Sequence, residues 1–176
     1  MLTGVTTALR AIEPEDLEHL RAWRNRPEFR RFFRETEEIS SVKQRKWYDA
    51  VVLADPRVIM FAIEEKGTGR LLGACGLCYI DRVNASADFS IYIGADNLYI
   101  DEKFAPDAAR ILLRYGFDEQ NLHRIWAEIY DFDASKQKLF AELGFALDGR
   151  HRETHWTEGA WCDSLFYGLL AKDFRI

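Results

Sequence analysis

With 176 residues, 48% of them hydrophobic and 14% aromatic, the chain is sized for one domain around a single core. Its net charge of −5 argues against general nucleic-acid binding, which rests on basic surface. No apolar run nears the ~20 residues that span a bilayer, and no charged-then-apolar N-terminus marks a signal peptide, so no membrane contact and a cytoplasmic location are expected.

Residues 6–11 read as a short opening strand. Glu13-Pro14-Glu15-Asp16 then starts a helix, because proline suits a first helical position and acids suit the first turn. Leu17, Leu20 and Trp23 form its apolar face, and Pro27 closes or bends it. Ser41-Val42-Lys43-Gln44 has the form of a capping box and opens a second helix carrying Trp47 and Val51 inward. Residues 58–64 and 71–80 are apolar β-rich runs joined at Lys66-Gly67-Thr68-Gly69, a hairpin, and residues 87–93 pair beside them. After Pro106 a helix places Ala108, Ile111, Leu112 and Tyr115 at helical spacing. Residues 124–130 form another strand. Asp133 caps a helix whose Leu139, Phe140 and Leu143 face inward before Gly144 stops it. Leu165, Tyr167 and Leu169 alternate in a last strand, which completes a mixed α/β sheet.

No repeat or Pro/Gly/Ser linker divides the chain, so one domain is expected over residues 6–172. Cys75, Cys78 and Cys162 are an odd number, and Cys75-Gly-Leu-Cys78 lacks a second pair at ligand spacing; reduced thiols and no metal are expected. His151 and His155 stand four apart, but nothing places them on a helix. Arg21, Arg24, Arg26, Arg30, Arg31 and Arg34 make a basic stretch that Glu35, Glu37 and Glu38 follow at once, the pattern of a solvated face.

Several segments in order resemble the GNAT acetyltransferase superfamily, in the branch of ribosomal-protein alanine acetyltransferases and their nucleotide-sugar and antibiotic-modifying relatives. They are Trp23-Arg24-Asn25-Arg26-Pro27-Glu28, Phe61 to Glu64 with Leu71-Leu72-Gly73, and Asp88 to Gly94. Asn121-Leu122-His123-Arg124-Ile125, Leu139 to Phe145 and Gly159-Ala160-Trp161-Cys162-Asp163 complete the set. The resemblance implies one mostly antiparallel twisted sheet whose fourth and fifth strands, residues 87–93 and 124–130, run side by side and diverge.

In that family acetyl-CoA is the cosubstrate, and its pantetheine arm enters the gap along the fourth strand. The resemblance therefore assigns cofactor contacts to Ile91, Tyr92 and Ile93, and to Lys103, Phe104, Ala105 and Asp107 at the following helix start. Asp133, Lys136 and Phe140 in the later helix join this set, and Asp88 is the candidate base. Trp23, Arg24, Arg30 and Trp156 are candidates for binding the acceptor, a small-molecule or peptide amine. A homodimer is compatible with this reading.

Three functional positions depart from the family pattern. The glycine loop that aims amides at the pyrophosphate falls at Lys103-Phe104-Ala105, with Asp101-Glu102 on the approach. A unit charge there repels phosphate by ~3 kcal/mol at ~6 Å and an effective dielectric of ~20. Lys103 offsets part of this as a phosphate partner; alternatively, the two acids serve only the helix N-terminus. Phe140 stands where a proton-donating tyrosine is usual, and Asp133 where an asparagine is usual. The expected function is direct N-acetyl transfer to a protein N-terminus, amino sugar or small amine. The alternative is a degenerate GNAT-like binding or assembly module without acyl-CoA chemistry.

Overall fold

The computed structural model describes residues 1–175. One sheet of eight strands carries the fold, in the order β1-β2-β3-β4-β5-β6-β8-β7. The strands are β1 (Leu2–Thr3), β2 (Thr7–Ala11), β3 (Ile59–Glu65), β4 (Leu71–Asp81), β5 (Ser86–Ile93), β6 (Arg124–Tyr130), β7 (Ala146–Thr157) and β8 (Ala160–Leu170). Every neighbouring pair is antiparallel except β5 and β6. The helices are α1 (Leu17–Arg24), α2 (Pro27–Arg30), α3 (Ser41–Trp47), α4 (Phe104–Arg114) and α5 (Ala134–Leu143). None among the described residues is long and apolar enough to cross a membrane.

The junction of β5 and β6, the fourth and fifth strands of the sequence reading, positions the site. They pair in parallel only through Ser86↔Arg124, Ala87↔Ile125 and Asp88↔Trp126. Beyond Asp88 they part, while β5 stays zipped to β4 as far as Gly73↔Ile93. The expected splay is therefore present, and Asp88 stands at its fork.

The Trp23 to Glu28 motif anchors the end of β5. A Cβ on Gly94 would lie 2.1 Å from Trp23 Cδ2, so the indole packs directly on this glycine backbone. Arg26 Nη1 donates to the Gly94 carbonyl at 3.0 Å, and the Asn25 side chain makes paired 2.8 Å bonds with the Ile39 backbone. Trp23 is thus a packing residue and does not line the cavity described below, contrary to its expected acceptor role. Gly94→Ala is expected to destabilise the fold by roughly 1–3 kcal/mol through overpacking, measured by urea unfolding.

Three local expectations shift. The hydroxyl capping α3 belongs to Ser40, which accepts from the Lys43 amide at 3.1 Å; Ser41 is already helical. Gln44 and Tyr48 of this segment are the buried residues, with Trp47 and Val51 half-buried beside them. Helix α4 begins at Phe104, two residues before Pro106. Proline is tolerated there because the amides of a first helical turn have no intrahelical partner to lose. Finally, β7 has no counterpart in the sequence reading. Its twelve residues lie at the sheet edge with mostly exposed side chains, so they lack the apolar alternation that marks a half-buried strand.

Candidate active site

A cavity of about 430 Å³ opens at the fork, between the sheet and the α1–α3 side of the molecule. Asp88, Ser90 and Tyr92 line it from alternate positions of β5, and Glu128 and Tyr130 from β6. The Asp88 residue is 7% exposed, and its partner is Arg34, whose Nη1 stands 3.5 Å from Oδ2. Burial pushes the Asp88 carboxyl up to about 6 from an ordinary 3.8, against the opposing pull of Arg34 and Lys136. Arg34 Nη2 also donates to Glu128 at 3.0 Å, and Glu128 in turn accepts from the Ser164 hydroxyl at 2.6 Å. Cys78 lies opposite Asp88 in the ladder, and its thiol is pushed up to about 12 by burial and by the Asp88 charge, so it stays protonated.

The ions of this cavity pair off. Arg24 meets Glu35 at 2.8 Å, Arg57 meets Asp55 at 3.0 Å, and Arg34 bridges Asp88 and Glu128. Lys136 is the lining cation with no ion pair among the described residues. Its ammonium stands 5.3 Å from the Tyr99 ring centroid, and burial lowers its pKa, opposed by Asp133 and Asp88.

The start of α4 shows which of the two readings of Asp101 the fold adopts. The Asp101 carboxylate accepts from the amides of Lys103 (3.0 Å), Phe104 (2.8 Å) and Ala105 (2.8 Å). Those amides are the ones the family resemblance assigns to the pyrophosphate. Lys103 turns its ammonium over the Phe104 ring at 4.3 Å, and Glu102 pairs with Lys138. In the gap itself the Tyr99 carbonyl accepts from the Ile93 amide at 2.8 Å, and the Tyr99 hydroxyl donates to Asp133 at 2.9 Å. The other Asp133 oxygen caps α5 at the Lys136 amide, 3.0 Å away. In this backbone the amides that the resemblance assigns to the pyrophosphate, and the Ile93 amide facing the gap, are held by the chain's own groups.

Of the sequence candidates, the cavity brings together Asp88, Tyr92, Arg24 and Lys136. Ile91 and Ile93 are buried on the same strand, within the core. Phe104 and Ala105 are buried too, their amides held by Asp101. Asp107 belongs elsewhere, since its carboxylate accepts from the amides of Val5, Thr6 and Thr7 and ties α4 to the N-terminal strands. Phe140 is 1% exposed and packs among Phe89, Phe145 and Tyr167, which makes it a core residue. Arg30 lies outside the cavity, and Trp156 is 53% exposed against Trp161 on the β7–β8 hairpin. Glu128 was missed, although the strand period places it on the same face as Trp126 and Tyr130. Tyr99 carried no signal, because its partner Asp133 lies 34 residues away.

No cluster of three or more His, Cys, Asp or Glu suited to a metal occurs among the described residues. Cys75 and Cys78 are three apart on one strand and so point to opposite faces.

The family model for the acetyltransferase (GNAT) domain matches residues 7–146. The chain is 30% identical over 114 residues to uncharacterized N-acetyltransferase p20 of Bacillus licheniformis, a match spanning 65% of this chain and 63% of that protein. It is 24% identical over 165 residues to spermidine N(1)-acetyltransferase of Escherichia coli K12, covering 94% of this chain and 86% of that one. Among solved structures, spermidine N-acetyltransferase from Vibrio cholerae in complex with CoA and spermine aligns with a TM-score of 0.88 at 24% identity, covering 96% of this chain and 97% of that one. At that identity the likeness is one of fold.

Proposed function

The chain belongs to the GNAT acetyltransferase family, and from that premise we propose that the cavity at the β5–β6 fork takes the amine acceptor of an N-acetyl transfer. The carrying observation is Asp88, a buried carboxylate at the fork with its pKa near 6. At neutral pH it is mostly ionised, close enough to neutrality to accept a proton and release it again. An acceptor ammonium entering the cavity passes one proton to Asp88, directly or through a water. Its nitrogen lone pair would then be free to attack the thioester carbonyl of an acyl donor, the C–N bond forming as the C–S bond breaks and the leaving thiolate taking the second ammonium proton. Arg34 holds Asp88 and Glu128 together and keeps the base from drifting higher.

The charge pattern selects the acceptor within this reading. Each cavity carboxylate already faces an arginine, so a polyamine with several charges meets no free anion there. Lys136 is the unpaired ion, and it suits an amine that also carries one carboxylate or phosphate. Peptide N-termini beside an acid and anionic amino sugars fall in that class, which keeps the ribosomal-protein and nucleotide-sugar branch of the resemblance in play. Calorimetry on the full chain should find 4-aminobutanoate binding about tenfold more tightly than spermidine, with Lys136→Met removing the difference. Tighter binding of spermidine overturns this acceptor class.

A second reading, a GNAT-like module that binds an amine without acyl transfer, is favoured by the Asp101 bonds to the α4 amides. Amine binding with no turnover at any acetyl-CoA concentration would select it. A homodimer belongs to the same proposal, with β7 as the longer of the two edge strands and Leu147, Trp156 and Trp161 exposed along its hairpin.

A further inference from the structure

The groove beyond the fork is filled from within by residues 99–101. Four sets of contacts do this, on β5, α4, α5 and the segment after α2. The Tyr99 carbonyl takes the last amide of β5, Ile93, at 2.8 Å. The Tyr99 hydroxyl crosses to Asp133 at the start of α5, and the Phe32 ring stacks on Tyr99 with centroids 4.2 Å apart. The Asp101 carboxylate then takes three amides at the start of α4. The recess beside it, about 90 Å³, is lined by Glu102, Glu142 and Lys138, and Lys138 is already paired with Glu102.

We infer that Tyr99 and Asp101 compete with the acyl donor for its own site, so that a pyrophosphate-bearing thioester binds this chain only by displacing them. The physics is that of one anion exchanged for another. A helix-start cradle satisfies one negative group through its amides and dipole, and here a carboxylate of the same chain is that group. An incoming phosphate must break these charge-assisted bonds and then lie beside the carboxylate it has expelled. The missing glycines fit this arrangement, since a carboxylate reaching from a neighbouring residue does not require the close backbone approach that an external phosphate does. Tyr99 acts separately, at the pantetheine end, by holding the Ile93 amide and Asp133.

Calorimetric titrations of the full chain with CoA, pantetheine and inorganic pyrophosphate test this. Asp101→Gly is expected to strengthen CoA and pyrophosphate binding about tenfold or more and to leave pantetheine unchanged, because Tyr99 keeps its slot. Adding Tyr99→Phe frees Asp133 but leaves the Ile93 amide on the main-chain carbonyl, so a further gain in CoA and pantetheine affinity is expected from the Asp133 contact alone. A wild type with no measurable CoA binding that Asp101→Gly restores also supports the inference, and it moves the function to the module reading. A folded Asp101→Gly protein with unchanged or weaker CoA affinity overturns it. If the glycine variant fails to fold, Asp101→Asn serves, since it keeps an oxygen on the amides and removes the charge; a tenfold gain supports the inference and no gain overturns it. Asp101 does not line the acceptor cavity, so failure of amine binding counts against the proposed function alone.

Discussion

Asp88→Asn is expected to lower kcat for amine acetylation about a hundredfold or more and to abolish an acid limb near pH 6 in the rate profile. Asn keeps the size and the contact with Arg34 but cannot take a proton. The limb follows from the folded pKa of about 6, below which the wild-type carboxyl is protonated and unable to act as base. Saturating donor is needed for the comparison, in the wild type or in an Asp101→Gly background where the donor binds more tightly. CoA affinity should be nearly unchanged, because Asp88 lines the large cavity and not the recess beside the start of α4.

The variant separates catalysis from stability. A carboxyl raised from 3.8 to about 6 on folding binds more protons in the native state than in the unfolded state across that interval. Its contribution to stability is therefore full below 3.8 and is lost as the pH rises through about 6, a difference of about 3 kcal/mol by linkage. The neutral Asn carries no such loss, so urea unfolding at pH 7 should show Asp88→Asn no less stable than the wild type. Unaltered kcat would reassign Asp88 to a structural role.

Asp107→Ala is expected to destabilise the fold by about 3 kcal/mol at pH 7. One carboxylate accepts from the amides of Val5, Thr6 and Thr7 at 2.8–3.0 Å and from the Thr7 hydroxyl at 2.7 Å. Without it these donors lose their partners, and the tie between α4 and β2 is cut. Burial alone would raise the Asp107 pKa, but the bonds from Val5, Thr6 and Thr7 hold it below 3.8. A depressed folded pKa gives stability that is present above 3.8 and lost as the pH falls through the folded value. The stability gap between wild type and Asp107→Ala should accordingly narrow in acid, read as converging urea midpoints. A gap that is small at pH 7 would mean that the N-terminal strands hold by sheet pairing alone.

Much of the fold was legible because it is written in short-range patterns. Helix faces such as Leu139, Phe140 and Leu143, the cap at Asp133 and the stop at Gly144 depend on residues within a few positions of one another. The order of the motifs identified the sheet and the fork, and with them Asp88. Edge strand β7 escaped because a strand exposed to water needs no apolar alternation, and only its pairing with β8 reveals it.

The site was legible in part, and the division has one physical cause. Sequence shows which charges are near one another along the chain, so it exposed the acids on the approach to α4 and the sign of their effect on a phosphate. It does not show which donor each acid meets. Asp101 turning onto three amides, Tyr99 reaching Asp133 and Arg34 bridging Asp88 to Glu128 are choices made across space, the last spanning 94 residues to Glu128. Hydrogen bonds and ion pairs act over a few ångströms, so only the tertiary structure decides which partners fall within that reach. The sequence by itself therefore determined the family fold and placed Asp88 at the fork of β5 and β6. The tertiary structure decided that the cavity's carboxylates are already paired, and that the amides at the start of α4 and the Ile93 amide are held by the chain itself.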